Sequence, residues 1–236
     1  MLADQTIILL GGSSGIGLAV ARAAVTVGAK VHIGSSNAER VASACETLGA
    51  QASGAVIDLT DEASIAAFFA AAPAFDHLVH TAGEWKRRRN VAGADFDLAD
   101  AQAAYQIRFW SILLTIKHGL PKLAPGGSIT LTSGTLAHRP SMGSAMSTAM
   151  MGGVEHLARG LAVDLAPVRV NVVTPGLIAT DVWAKLPAEA IDAMVAGQAL
   201  PRPGIPAEVA EAYLYFMRAS YTTGQVSIVD GGMLYR

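Results

Sequence analysis

The chain has 236 residues, 52% of them apolar and only 15% charged, with a formal net charge of −2 and a single cysteine, Cys45. This length suits one α/β unit with a sizeable core, and the charge balance excludes nucleic acid or an anionic membrane as an electrostatic partner. A lone cysteine excludes an internal disulfide, and without an apolar stretch of membrane-spanning length the expectation is a cytoplasmic protein.

Short apolar runs at 6–10, 31–33, 55–57, 77–79, 128–131, 169–173 and 225–229 are bounded by Gly, Asp, Pro or Ser and predict strands. Between them, 16–27, 38–48, 62–71, 100–120, 144–165 and 207–219 carry apolar residues at helical spacing. This alternation predicts repeated βαβ units, hence a parallel sheet with helices on both faces, in a single domain over 1–236. The segment 177–206, which holds Pro187, Pro201, Pro203 and Pro206, is long for a connector. It predicts either a substrate lid or an ordered surface excursion. The thin charge predicts an apolar face buried between copies of a homo-oligomer.

The first predicted strand runs into Leu10-Gly11-Gly12-Ser13-Ser14-Gly15-Ile16-Gly17, which opens the first helix. A chain that turns sharply, lets its backbone approach a pyrophosphate and aims free N–H groups at the anion needs glycine at such positions. Ser13 and Ser14 add hydroxyl donors. A glycine cluster alone could be a bare turn, but one placed between a strand and an amphipathic helix points to dinucleotide binding.

Here the chain resembles the short-chain dehydrogenase/reductase family. Its glycine spacing matches that family's Gly-x-x-x-Gly-x-Gly, although Leu10 stands where threonine is usual. Asp58, followed by Leu59, resembles the acidic position that meets the adenine ring, and Thr81-Ala82-Gly83 is similar to the family's Asn-Ala-Gly turn. Asn171 followed by Pro175-Gly176, Ile178 and Thr180 looks like the turn that meets the nicotinamide end. Thr223-Gly224-Gln225 and Val229-Asp230-Gly231-Gly232 resemble the closing strand. The resemblance spans the chain and implies a Rossmann-type doubly wound sheet of seven strands in the order 3-2-1-4-5-6-7. It also implies a nicotinamide dinucleotide bound by these residues, including Ile16, and an oligomer, a tetramer or dimer.

A carboxylate at the end of the second strand would bind a ribose 2′-hydroxyl and repel a 2′-phosphate. Gly34-Ser35-Ser36-Asn37 offers none, and the family's phosphate-pairing arginine falls at Ser36. Two hydroxyls, an amide and the nearby Arg40 favour NADP(H) over NAD(H). Alternatively, Ser35, Ser36 and Asn37 merely cap the helix that follows.

The family's catalytic serine falls on Ser133, its tyrosine on Met146, its lysine on Met150 and its helix asparagine on Arg108. A thioether neither donates a proton nor carries charge. Arg108 either enters the cleft or exits to the surface, and an arginine is a poor general acid in either place. Tyr105 reads as a replacement acid or, from its place in an apolar helix stripe, as core or interface, His138 as a candidate proton donor or an exposed loop residue, and Trp85-Lys86-Arg87-Arg88-Arg89 as a solvated run or an attractor of anionic substrates. No metal-ligand pattern is present. The expectation is an atypical NAD(P)(H)-dependent oxidoreductase acting on a small organic substrate, or an inert nucleotide-binding protein on the same fold.

Overall fold

The strand Thr6–Leu10 (β1) is apolar along its length, and its side chains alternate between two cores: Ile7 and Leu9 pack on one side, Ile8 and Leu10 on the other, all fully buried. A strand covered on both faces needs apolar residues at every position, which is the signature of an interior parallel strand. The computed structural model describes residues 2–83, 90–183 and 186–235. β1 is joined by β2 (Lys30–Ser35), β3 (Ala52–Val56), β4 (Phe75–His80), β5 (Leu123–Thr132), β6 (Arg169–Pro175) and β7 (Val226–Val229). Together they form one parallel sheet in the order β3-β2-β1-β4-β5-β6-β7.

One face is covered by α1 (Gly15–Thr26), α2 (Ala38–Leu48) and α8 (Pro206–Arg218), through Val20, Ala24, Val41, Val209 and Tyr213. On the other lie α3 (Glu62–Ala71), α5 (Ser111–Gly119) and α6 (Ala145–Asp164), through Ile65, Phe69, Ile112, Ile116, Val154 and Ala158. Each fully buried aliphatic or aromatic side chain contributes roughly 1.5–3 kcal/mol. Asn37 caps α2 by accepting from the Arg40 N–H at 2.8 Å, and Asp61 caps α3 through Ala63 and Ser64. No helix of the described residues is long and apolar enough to cross a membrane.

Two expectations are corrected here. Strand β3 begins at Ala52 rather than at 55, because Ala52, Ser53 and Gly54 form an edge strand of small residues that lacks an apolar signal. The helix predicted over 100–120 is broken into α4 (Leu98–Tyr105), one π turn at Gln106–Trp110, and α5. In the π turn the Ser111 N–H reaches Gln106 O instead of Ile107 O. The Ile107 carbonyl is compensated by the Ser111 hydroxyl at 2.6 Å. Apolar periodicity cannot register such a one-residue slip.

The segment 177–206 is ordered at its base by a bridge between Ile178 and Gly204. Ala179 N–H donates to Gly204 O at 2.8 Å and Gly204 N–H to Leu177 O at 3.0 Å. It carries the short helix α7 (Ala188–Val195). At its end Arg202 grips the Glu208 carboxylate in the first turn of α8 at 3.0 and 2.6 Å.

Candidate functional site

Strand order reverses between β1 and β4, so the crossovers leaving them diverge and open a crevice at the carboxyl ends of the strands. The cleft there measures about 1020 Å³ and runs from Ser36 and Asp58 at one end to Met151, Trp183 and Met233 at the other. Of the dinucleotide residues expected from the sequence, all but Asn37 line it. The Asn37 side chain is occupied in capping α2.

The glycine loop fits a pyrophosphate. Gly11 has φ +83°, and a Cβ there would lie 2.7 Å from Ala82 N; a Cβ on Gly17 would strike the Gly11 carbonyl. The Thr81 hydroxyl ties the facing turn to Leu10 O at 3.0 Å. Ser14 is the N-cap of α1 but makes no side-chain hydrogen bond to its first turn, and this helix end directs N–H groups and the positive dipole end into the cleft.

At the β2 end, Ser13 donates to Ser35 at 2.8 Å, and Ser36 and Arg40 complete the lining. Asp58 accepts from the Thr60 hydroxyl at 2.7 Å and from its N–H at 2.8 Å. These hydrogen bonds hold its carboxyl below the usual range, so it is ionised at neutral pH.

At the other end, Arg108 turns into the cleft from the middle of the π turn. A Cβ on Gly83 would lie 2.5 Å from Arg108 Cζ and 2.8 Å from Nη1, so glycine at 83 is what lets the guanidinium lie against the β4 turn. Behind it, His80 is buried, and burial first, then Arg108, lowers its pKa to about 4. Ser111 donates its proton to Ile107 O, so the contact of its oxygen with His80 Nε2 at 3.0 Å has the imidazole as donor.

Ser133 lines the cleft, but its hydroxyl donates to the Met151 carbonyl at 3.0 Å. The helix α6 presents Met151, rather than Met146 or Met150, to the cleft. Met150 is buried and Met146 half-buried, with its carbonyl 3.5 Å from the Tyr105 hydroxyl. The loop between Ser133 and α6 has no periodicity, so counting forward from Ser133 does not determine which face of the helix looks inward. The helix buries Met150 as well as Met151, so apolar spacing alone does not single out the one that faces the cleft.

His138 does not line the cleft; its Nε2 lies 3.0 Å from the buried Glu155, which also accepts from Thr174 at 2.8 Å. Tyr105 lies outside the lining as well. Among the described lining residues there is no tyrosine, lysine or histidine. The basic run 85–89 lies outside the described residues. Sequence reasoning missed Met151, His80, Ser111, Arg139 and Met233. Arg139 lines the cleft and donates to the Met233 carbonyl at 2.5 Å, fastening the C-terminal turn as a wall.

The family model described as enoyl-(acyl carrier protein) reductase matches residues 11–234. The short-chain dehydrogenase/reductase malC of Malbranchea aurantiaca is 35% identical over 258 residues, spanning 100% of this chain and 97% of that protein. Its structure, described as a reductase/Diels-Alderase, superposes with a TM-score of 0.91 at 33% identity, covering 100% and 98% of the two chains. A small-chain dehydrogenase in complex with NADPH gives a TM-score of 0.81 at 32% identity, covering 99% and 100%. An NADPH-bound short chain oxidoreductase of Pseudomonas aeruginosa PAO1, described as containing an atypical catalytic center, gives 0.87 at 28%, covering 98% of each chain. With the fold, the glycine loop and these matches in agreement, the chain belongs to the short-chain dehydrogenase/reductase family of oxidoreductases.

Proposed function

We propose that the protein is an NADP(H)-dependent oxidoreductase that works on a small organic substrate without a tyrosine acid. The observation that carries this reading is a cleft with an intact phosphate loop at one end and, at the other, Arg108, Ser133 and Met151 with no tyrosine or lysine among its described lining. When bound, the dinucleotide supplies or accepts a hydride.

The chain's own residues divide the work. Gly11, Ser13, Ser14, Gly15, Ile16 and Gly17 hold the pyrophosphate. Asp58 and Leu59 face the adenine end, while Thr81–Gly83, Pro175, Gly176, Ile178 and Thr180 shape the nicotinamide end. Ser35, Ser36 and Arg40 support selection of a 2′-phosphate, since no carboxylate stands at the end of β2 to repel it. The segment 177–206 acts as a lid, contributing Val182, Trp183 and Met194 to the cleft. Arg108 supplies fixed positive charge in place of a proton donor, and Met151 makes apolar a wall that the family's pattern makes cationic.

Without a positioned acid, loss of about two to four decades in rate is expected for substrates that need one. The same feature favours a second reading, an inert dinucleotide-binding protein. Nicotinamide oxidation with NADPH against panels of ketones, imines, quinones and enones separates them. Turnover of any panel member supports the enzyme, and tight NADPH binding without turnover anywhere supports the inert protein.

A further inference from the structure

We propose that Arg139 is the specificity residue of the substrate end, holding the carboxylate of an anionic organic substrate at the mouth of the cleft. The first observation is that this side chain is fixed at both root and tip. Its backbone N–H donates to Thr135 O at 2.8 Å, closing the turn Thr135–Ala137, and its Nη1 donates to Met233 O. The anchor is itself built. Asp230 accepts from the Gly232 N–H at 2.8 Å and the Leu234 N–H at 3.0 Å, and the Thr135 hydroxyl lies 3.6 Å from Met233 Sδ. A guanidinium held in this way loses little further freedom when a ligand arrives.

The second observation is its unused chemistry. Tied through Nη1, the planar fork keeps its Nε–Nη2 edge, two parallel N–H groups spaced to meet both oxygens of one carboxylate. The acids of the described cleft lining are Asp58, which accepts from Thr60, and Asp181. Neither pairs with Arg139, nor does any other carboxylate among the described residues. The third observation sets the direction of a ligand. Arg139 and Pro140 are exposed, whereas Ser133 and Met151 are buried deeper in the same cleft. A carboxylate is costly to bury, so it stops at the arginine on the rim, and the uncharged body passes inward along Leu136, Met151 and Met233. Taken with the proposed oxidoreductase activity, on which this extension rests, the substrate class is oxo or hydroxy compounds with an apolar body and a carboxylate remote from the reacting carbon.

The test is calorimetric titration of the full chain, in the presence of NADP+, with 4-nitrobenzoate and with its neutral counterpart 4-nitrobenzamide. The benzoate should bind about tenfold tighter than the amide, as a two-point contact with a charged group provides. Arg139→Gln, which keeps a donor for Met233 O but no charge, should bring the two probes to equal affinity. Arg139→Lys, which keeps the charge without the fork, should retain part of the preference. Equal affinities in the parent chain, a benzoate that fails to bind, or a preference that survives Arg139→Gln overturns the proposal. So does a loss in Arg139→Gln that weakens both probes alike, because the arginine then serves only to fasten the Met233 wall. A benzoate preference that depends on Arg139, without turnover of any carboxylate-bearing ketone, enone or alcohol, supports the site and counts against the oxidoreductase reading alone. Turnover of neutral substrates with no benzoate preference overturns the site and leaves that reading standing.

Discussion

On the proposed reading of the cleft, Arg40 is the side chain that discriminates between the two nucleotides. It lines the cleft beside Ser35 and Ser36, while its own backbone N–H is fixed by Asn37 as α2 begins. An exposed guanidinium adds little to folding, but a phosphate brings its charge partner only when NADP(H) binds. Arg40→Ala should therefore weaken NADPH binding about tenfold, the equivalent of ~1.4 kcal/mol, and leave NADH unchanged. Calorimetric titration with both nucleotides checks this; equal losses for the two would show that Arg40 touches something other than the 2′ position. Gly17 makes the complementary case, where space rather than charge decides. A Cβ there collides with the Gly11 carbonyl and would lie 2.6 Å from the Thr81 hydroxyl. Gly17→Val should reduce binding of both nucleotides alike by at least about a hundredfold, on the order of 2.7 kcal/mol, measured in the same titration.

Elements carry a different lesson, because their positions come from hydrogen bonds that sequence patterns reveal unevenly. Arg169, at the start of β6, buries its guanidinium against the end of α8 and donates to Phe216 O at 2.6 Å, Ala219 O at 2.9 Å and Met217 O at 3.0 Å. It satisfies carbonyls that a helix end leaves unpaired and sits at the negative end of the helix dipole. Arg169→Met should destabilise the fold by about 3 kcal/mol through the orphaned carbonyls. Urea unfolding should show a lower midpoint with an unchanged slope, and a midpoint that does not move would mean that water replaces the arginine at no cost. The sheet was legible beforehand because its interior strands are apolar and bounded by breakers, as in Thr6–Leu10, which follows Asp4 closely and stops at Gly11. The phosphate loop was legible because glycine is there by steric necessity. The π turn and the inward face of α6 were not. The first depends on a Ser111 hydroxyl replacing a backbone N–H, and the second on the path of an aperiodic loop between Ser133 and Ala145. An arginine aimed into the cleft and one that exits to solvent also have the same sequence; the contact with Gly83 is what distinguishes them.

At the scale of the whole molecule, the two ends of β4 couple folding to acidity. His77 has Nδ1 2.8 Å from the Ser128 hydroxyl and Nε2 3.1 Å from Gln5 Oε1, and His80 donates to Ser111. Both are neutral inside the fold. Burial is the leading cause in each case, and it lowers both from 6.5 to about 4. A depressed histidine pKa means that the unfolded chain binds protons which the folded chain refuses. The stability from each is therefore complete above about pH 6.5, is lost as pH falls toward 4, and does not change further below that. A displacement of this size corresponds to on the order of 3 kcal/mol per histidine. Near pH 5 the two together should make stability fall by up to about 2.7 kcal/mol per pH unit. Carboxylates with lowered pKa, such as Glu208 at about 2, lose their contribution only below their unfolded value of 4.5, so the histidine window lies above theirs. The measurement is urea unfolding from pH 7.5 to 4.5, with His77→Gln as the comparison. The parent chain should show a steep loss beginning near pH 6.5, and the variant about half that slope, because Gln keeps hydrogen-bonding capacity but does not titrate. A flat profile down to pH 5 in the parent chain would mean that both imidazoles protonate inside the fold, and that water reaches the ends of β4.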